Sequence, residues 1–247
     1  ERVSLDGPRR RRDLHGRRRG LRAHEVFSER VEVVSALRLV QAGQGAARPL
    51  VIVYHAGPWS DPLVTEAAGS DACVVNDTET PSQGLYANVD AGGIDNLDTV
   101  VQQAQAMAGE QFTPSPLIVA GFSEGCEGVR AQLLAGYDPD VAICADGIQV
   151  QRAYSDADFK VWRDLVNRAR SGQRRFLVSH AFFVATKGLP VVDTMRLITG
   201  LPLPQGGTAA SPITVRDGGL TVMSADTDHA SQGHVLMPAM IAEAIHG

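Results

Sequence analysis

The chain has 247 residues, enough for one large α/β domain with a substantial core. Apolar residues make up 44% and charged residues 21%, a globular composition that excludes a disordered or collagen-like chain. The net charge of -5 hides an asymmetry: residues 1–30 carry ten Arg against five acidic residues, and the remainder carries 13 basic and 23 acidic residues. A basic head on an acidic body could meet nucleic acid or an anionic membrane. This head has almost no apolar or aromatic residues with which to read bases or enter lipid. It reads as a solvated, poorly ordered extension over residues 1–28, ahead of a single domain at 29–247. Neither nucleic acid nor a membrane is an expected partner. Cys73, Cys126 and Cys144 are an odd set at no metal-like spacing, which points to buried thiols in a reducing compartment. No stretch approaches the length of a membrane span, and the start lacks a signal-peptide apolar region, so a soluble, cytoplasmic protein is expected.

In chain order, "ERVEVVSALRLVQAG" (29–43) has the alternation of one or two outer strands. "PLVIVYHAG" (49–57) and "DACVVND" (71–77) are short, nearly continuous apolar runs, the pattern of strands buried on both faces. "DNLDTVVQQAQAMAG" (95–109) switches to helical spacing, with Leu97, Val100, Val101, Ala104 and Met107 on one face and Asp95 as the expected N-cap. A strand at 116–121, a helix at 125–136 closed by glycine and a strand at 140–147 follow. The helix at 155–172 has Ser155 and Asp158 in capping-box register and turns Phe159, Trp162 and Val166 inward. A strand at 174–183, a helix at 190–200, a Gly/Pro-rich surface loop at 200–212, a strand at 219–226 and a closing helix at 237–247 with Pro238 in its first turn complete the chain. Such alternation predicts a three-layer α/β sandwich: a mostly parallel central sheet with helices on both faces.

At the centre lies "PLIVAGFSEGCEGVRAQLL" (116–134), where a buried strand must hand over to a helix within a few residues. In "GFSEG" the central residue is forced into a strained conformation, and Gly121 and Gly125 leave room for strand and helix to approach. Ser123 is thereby held above the carboxyl edge of the sheet, beside a helix N-terminus whose free N–H groups favour developing negative charge. The pentapeptide alone is a weak signal, and its position between strand and helix strengthens it.

This pattern resembles the α/β-hydrolase superfamily, over roughly residues 30–247 by order of elements. The resemblance implies a serine nucleophile at Ser123 and a histidine base after the last strand, where "SADTDHASQGHVLMP" offers His229 and His234. His234 is the expected base, because its Gly-His pair immediately precedes the closing helix. The carboxylate that orients the imidazole follows the 174–183 strand in most members, and no acid is met there until Asp193. A known variant places the acid one strand earlier, where Asp146 stands, so Asp146 is the expected acid; Asp193, Asp226 and Asp228 stay open. Oxyanion donors are expected from the backbone N–H of Glu124 and of Gly57, with Ala56 as the alternative to Gly57, since Pro58 has no N–H. His55 is expected to bond structurally, and His180 to line the pocket or bond backbone. Trp59, Tyr86, Phe122 and Phe182 are candidates for the acyl or alcohol pocket, and Glu124 and Glu127 disfavour strongly anionic substrates.

The expected activity is hydrolysis of small or medium carboxylic esters through Ser123, His234 and Asp146, with a small-molecule ester as partner, no cofactor and no metal. The segments between helices are too short for a large lid, which implies an open site. The competing reading is a non-catalytic binding or scaffold protein of the same fold, favoured by the missing acid after the 174–183 strand.

Overall fold

In a computed structural model of the chain, the structure describes residues 37–55, 57–77, 89, 93–148, 156–181, 191–203 and 205–247. These fall within the compact unit Val33–Gly247. The expected extension at 1–28 and the part of the first strand before residue 37 lie outside them.

Eight strands form one sheet: β1 (Leu37–Gln41), β2 (Ala47–Tyr54), β3 (Cys73–Asp77), β4 (Thr113–Phe122), β5 (Val141–Ala145), β6 (Arg175–His180), β7 (Ile213–Asp217) and β8 (Leu220–Ser224). Their order is β1-β3-β2-β4-β5-β6-β8-β7. The inner strands run parallel, and β1 and β7 close the two edges antiparallel. In the parallel strands side chains alternate between two buried layers. Leu50, Ile52 and Tyr54 of β2 join one core, and Val51 and Val53 join the other.

The first core is roofed by α2 (Leu97–Ala108), α3 (Gly125–Leu134), α4 (Asp156–Arg170) and α5 (Val191–Thr199). Trp162 of α4 is fully buried and stacks on Phe176 of β6, ring centroids 5.8 Å apart. The second core is roofed by α1 (Asp61–Ala68) and α7 (Met237–His246), through Val64, Ala68, Met237, Met240, Ile241 and Ala244. Burying each of the larger of these, Val64, Met237, Met240 and Ile241, stabilises the fold by about 1.5–3 kcal/mol. The result is the expected three-layer α/β sandwich.

Local details differ from the sequence reading. The N-cap of α2 is Asn96, whose side chain accepts the Thr99 N–H at 2.9 Å; Asp95 instead accepts from Gln103 Nε2. The helix α1 and the edge strand β7 were not anticipated. α1 is only eight residues long and starts behind a Pro58–Ser60 3-10 turn. β7 pairs with β8 across a two-residue turn at Gly218 and Gly219, with Gly218 at φ +62°. The proposed capping residue Ser155 lies outside the described residues.

Candidate active site

The centre of the sheet's carboxyl edge is built from the ends of three adjacent strands. β4 runs out at Phe122, Ser123 follows at φ +53°, and α3 begins at Gly125. The Ser123 N–H extends the ladder to Ala145 O at 3.0 Å, and its carbonyl accepts from the Cys126 N–H at 3.1 Å, the first turn of the helix. The corner is that tight because glycine permits it. A Cβ on Gly121 would stand 2.4 Å from the Gly125 carbonyl, and one on Gly125 would stand 2.1 Å from Tyr54 O. Ser123 itself is half-buried.

Asp146 follows β5 directly, fully buried and at φ +46°. Its N–H donates to Ser179 O at 3.0 Å, its Oδ1 accepts the Ala181 N–H at 3.0 Å, and its Oδ2 meets His229 Nδ1 at 2.8 Å. The carboxylate is thus held by one strand and turned toward one imidazole. Gly147 gives it room: a Cβ there would lie 2.0 Å from Ser123 O and 2.2 Å from Cys126 Sγ.

The imidazole against Asp146 belongs to His229 and not to His234, the expected base. After β8 the chain forms a one-turn helix α6 (His229–Ser231), capped by Asp228, whose Oδ1 accepts the Ser231 N–H at 2.8 Å. That cap sets His229 at the helix's first position. The exposed Asp228 carboxyl is held below the usual range chiefly by the Ser231 backbone N–H. The following π-turn (Gln232–Leu236) leaves His234 exposed, its ring edge-on to Trp59 at 4.2 Å. His229 stacks on Phe122, the residue before Ser123, at 4.7 Å between centroids. Among the described residues no hydrogen bond joins Ser123 Oγ to either ring; such bonds are often long in a free site and tighten with substrate.

The other candidate acids sit elsewhere. Asp193 pairs with Arg196 at 3.1 Å on the exposed face of α5, Asp226 is exposed, and Asp228 serves as the cap just described.

Gly57 and Glu124 flank the elbow. The Gly57 carbonyl accepts both the N–H and the hydroxyl of Ser60, at 2.9 and 2.8 Å, which fixes the 3-10 turn. Among the described residues the N–H groups of Gly57 and Glu124 have no partner. Ala56, Tyr86 and Phe182 lie outside the described residues. Glu127 is paired with Arg130 at 2.6 Å.

Two further histidines border the site. His55, at φ +56° after β2, has its pKa lowered by burial, opposed by the Glu124 charge and reinforced by that of His229. His180, at the end of β6, is fully buried, with Nε2 2.9 Å from Ser224 Oγ. Burial pushes its pKa down to about 4, against smaller upward pulls from the Ala181 backbone and Asp146. It is therefore neutral at physiological pH, and its Nε2 is engaged by Ser224. The Ala181 N–H, which holds Asp146 from behind, was not anticipated; backbone donors leave no mark in a sequence. Cys126, one turn into α3, is fully buried and its thiol is pushed well up by that burial, which makes it inert as a nucleophile.

No family model matches the sequence, and no curated protein matches it. Among solved structures the chain is similar to FphF, a fluorophosphonate-binding serine hydrolase of Staphylococcus aureus, with 11% identity over 83% of this chain and 86% of that one, at a TM-score of 0.48. It is similar to the siderophore hydrolase EstB of Aspergillus nidulans, with 11% identity over 83% of each chain, at 0.49. It is also similar to TT1662 of Thermus thermophilus, with 14% identity over 85% of this chain and 95% of that one, at 0.42. At those identities and TM-scores none of the three bears on the residues above. By its own strand order and its central strand, serine elbow and helix, the chain has the α/β-hydrolase fold.

Proposed function

We propose that the protein is a serine hydrolase of small or medium carboxylic esters, with Ser123 as nucleophile, His229 as base and Asp146 as the group that orients it. The observation that carries this reading is the 2.8 Å bond between His229 Nδ1 and the buried Asp146 carboxylate, on an imidazole that lies against Phe122, next to Ser123. A carboxylate on Nδ1 fixes the tautomer that leaves Nε2 free to accept a proton, and it stabilises the imidazolium that forms.

In this reading His229 Nε2 takes the Ser123 proton as Oγ attacks the ester carbonyl. The tetrahedral oxyanion is met by the N–H groups of Glu124 and Gly57, each such donor being worth roughly 3–4 kcal/mol in other enzymes. His229 then protonates the departing alcohol, and a water activated by the same nitrogen releases the acid from the acyl-enzyme. None of these steps calls on a cofactor.

Labelling with a fluorophosphonate probe, together with turnover of p-nitrophenyl acetate, tests the assignment. Wild type is expected to label, and Ser123→Ala not at all. His229→Ala is expected to label at least about a hundredfold more slowly, whereas His234→Ala still labels. If folded wild type does not label, the protein is the non-catalytic module; if His234→Ala is silent and His229→Ala labels, the base is His234.

A further inference from the structure

The mouth of the site carries an aromatic surface that the proton-transfer machinery does not use. Trp59 follows the proposed oxyanion donor Gly57 by two residues and folds back over it: a Cβ on Gly57 would lie 3.0 Å from indole Cδ1 and Nε1. The indole packs edge-to-face with Phe122 at 5.9 Å and with His234 at 4.2 Å. It remains 38% exposed. One wall of rings thus runs from Phe122, whose neighbour is Ser123, across Trp59 over Gly57 to His234.

We propose that this wall is the specificity surface of the hydrolase, and that it selects esters carrying an uncharged aromatic ring. The inference rests on the hydrolase reading above and names its substrate class. An alkyl chain gains from enclosure on several sides, whereas a ring gains from a single aromatic surface. Each offset-stacked or edge-to-face contact is worth about twofold to tenfold in affinity beyond the area it buries. Trp59 is already packed against two rings set nearly perpendicular to it, at 88° and 79°. Little ordering is therefore required when a ring docks. The half-buried Glu124 beside the nucleophile weighs against a carboxylate on that ring.

The ring could belong to the alcohol or to the acyl group, and two substrate pairs separate these, each rate being taken relative to that ester's own hydroxide-catalysed hydrolysis. Benzyl acetate against butyl acetate probes the alcohol side; methyl phenylacetate against methyl butyrate probes the acyl side. The aromatic member of at least one pair is expected to have the higher kcat/KM by about tenfold. Trp59→Ala should remove that advantage through KM, and Trp59→Phe should keep most of it. Wild-type enzyme that labels with a fluorophosphonate but handles both pairs within about twofold overturns the proposal while leaving the hydrolase intact. So does a Trp59→Ala variant that slows aromatic and alkyl esters equally. If wild type neither labels nor turns over any of the four esters, the hydrolase reading falls and this inference falls with it.

Discussion

Replacing Asp146 with Asn tests the proposed catalytic arrangement where it is most constrained. The carboxylate is fully buried and uses one oxygen for the Ala181 N–H and the other for His229 Nδ1, at 3.0 and 2.8 Å. An amide of the same shape offers one acceptor and one donor. If its oxygen keeps Ala181, its NH2 faces His229, so Nδ1 must become an acceptor and the ring proton moves to Nε2. The nitrogen that should receive the Ser123 proton is then already occupied. The equivalent change in an unrelated serine protease costs about 10^4 in kcat, roughly 5–6 kcal/mol of barrier. If the amide flips instead, its NH2 faces the Ala181 N–H, and a buried donor left unpaired costs about 1–3 kcal/mol of stability. The two orientations are told apart by measuring kcat/KM for p-nitrophenyl acetate across about pH 6 to 9 alongside the urea midpoint. Expected is a stable variant with turnover down about 10^4-fold. An Asp146→Asn protein that keeps more than about a tenth of wild-type turnover together with the wild-type urea midpoint would refute the tautomer argument and the acid assignment with it.

Two other outcomes follow from the geometry. Gly147→Ala puts a Cβ 2.0 Å from Ser123 O and 2.2 Å from Cys126 Sγ, so the elbow must move; a loss of about 1–3 kcal/mol in urea unfolding is expected, together with slowed labelling of Ser123, and wild-type values for both would contradict it. His180, with its pKa pushed down to about 4 from 6.5, binds its proton more weakly in the folded state than in the unfolded one. Stability from this group is complete above pH 6.5 and is lost as pH falls toward 4, by about 3 kcal/mol in all. His180→Gln should flatten the fall in urea midpoint over that window, and an unchanged slope would assign it to other groups, His55 among them.

Much of the fold is legible in the sequence because its strands are buried on both faces. Runs such as "PLVIVY" and "DVAICA" have no polar side to hide, and the helices between them repeat their apolar residues at helical spacing. The elbow is legible for a similar reason: glycine brackets the serine because Tyr54 O and the helix backbone leave no space for a Cβ. The edge strand β7 was missed although "RDGGL" holds a hairpin signal, since its half-exposed residues make no continuous apolar run. Which histidine meets Asp146 depends on direction, which spacing does not encode. His229 and His234 are five residues apart, and a cap by Asp228 followed by a π-turn aims one ring at Asp146 and the other at Trp59. "DHAS" does contain the cap, as an Asp three residues before a Ser, but only the fold says what lies opposite the residue it positions.

The Asp-Gly pair at 146–147 reverses the usual division of labour in such a pair. Glycine ordinarily takes the left-handed conformation, and here the aspartate takes it, at φ +46°, while the glycine serves only to make room. His55 and Ser123 do the same at the ends of β2 and β4, so three neighbouring strands each finish on a non-glycine residue in the left-handed region, at +56°, +53° and +46°. At about 1–3 kcal/mol each, this strain is a sizeable fraction of the roughly 5–15 kcal/mol by which a domain is stable. At two of the three the ladder continues past the strand end and holds the strained residue: Ser123 still donates to Ala145 and Asp146 to Ser179. Glycine at these three positions would relieve the strain and remove the three side chains they present. The chain instead concentrates the cost at the sheet's central carboxyl edge, beside the helix N-terminus and the last loop, where the Asp146 carboxylate meets the His229 imidazole and that ring stacks on Phe122, the residue before Ser123.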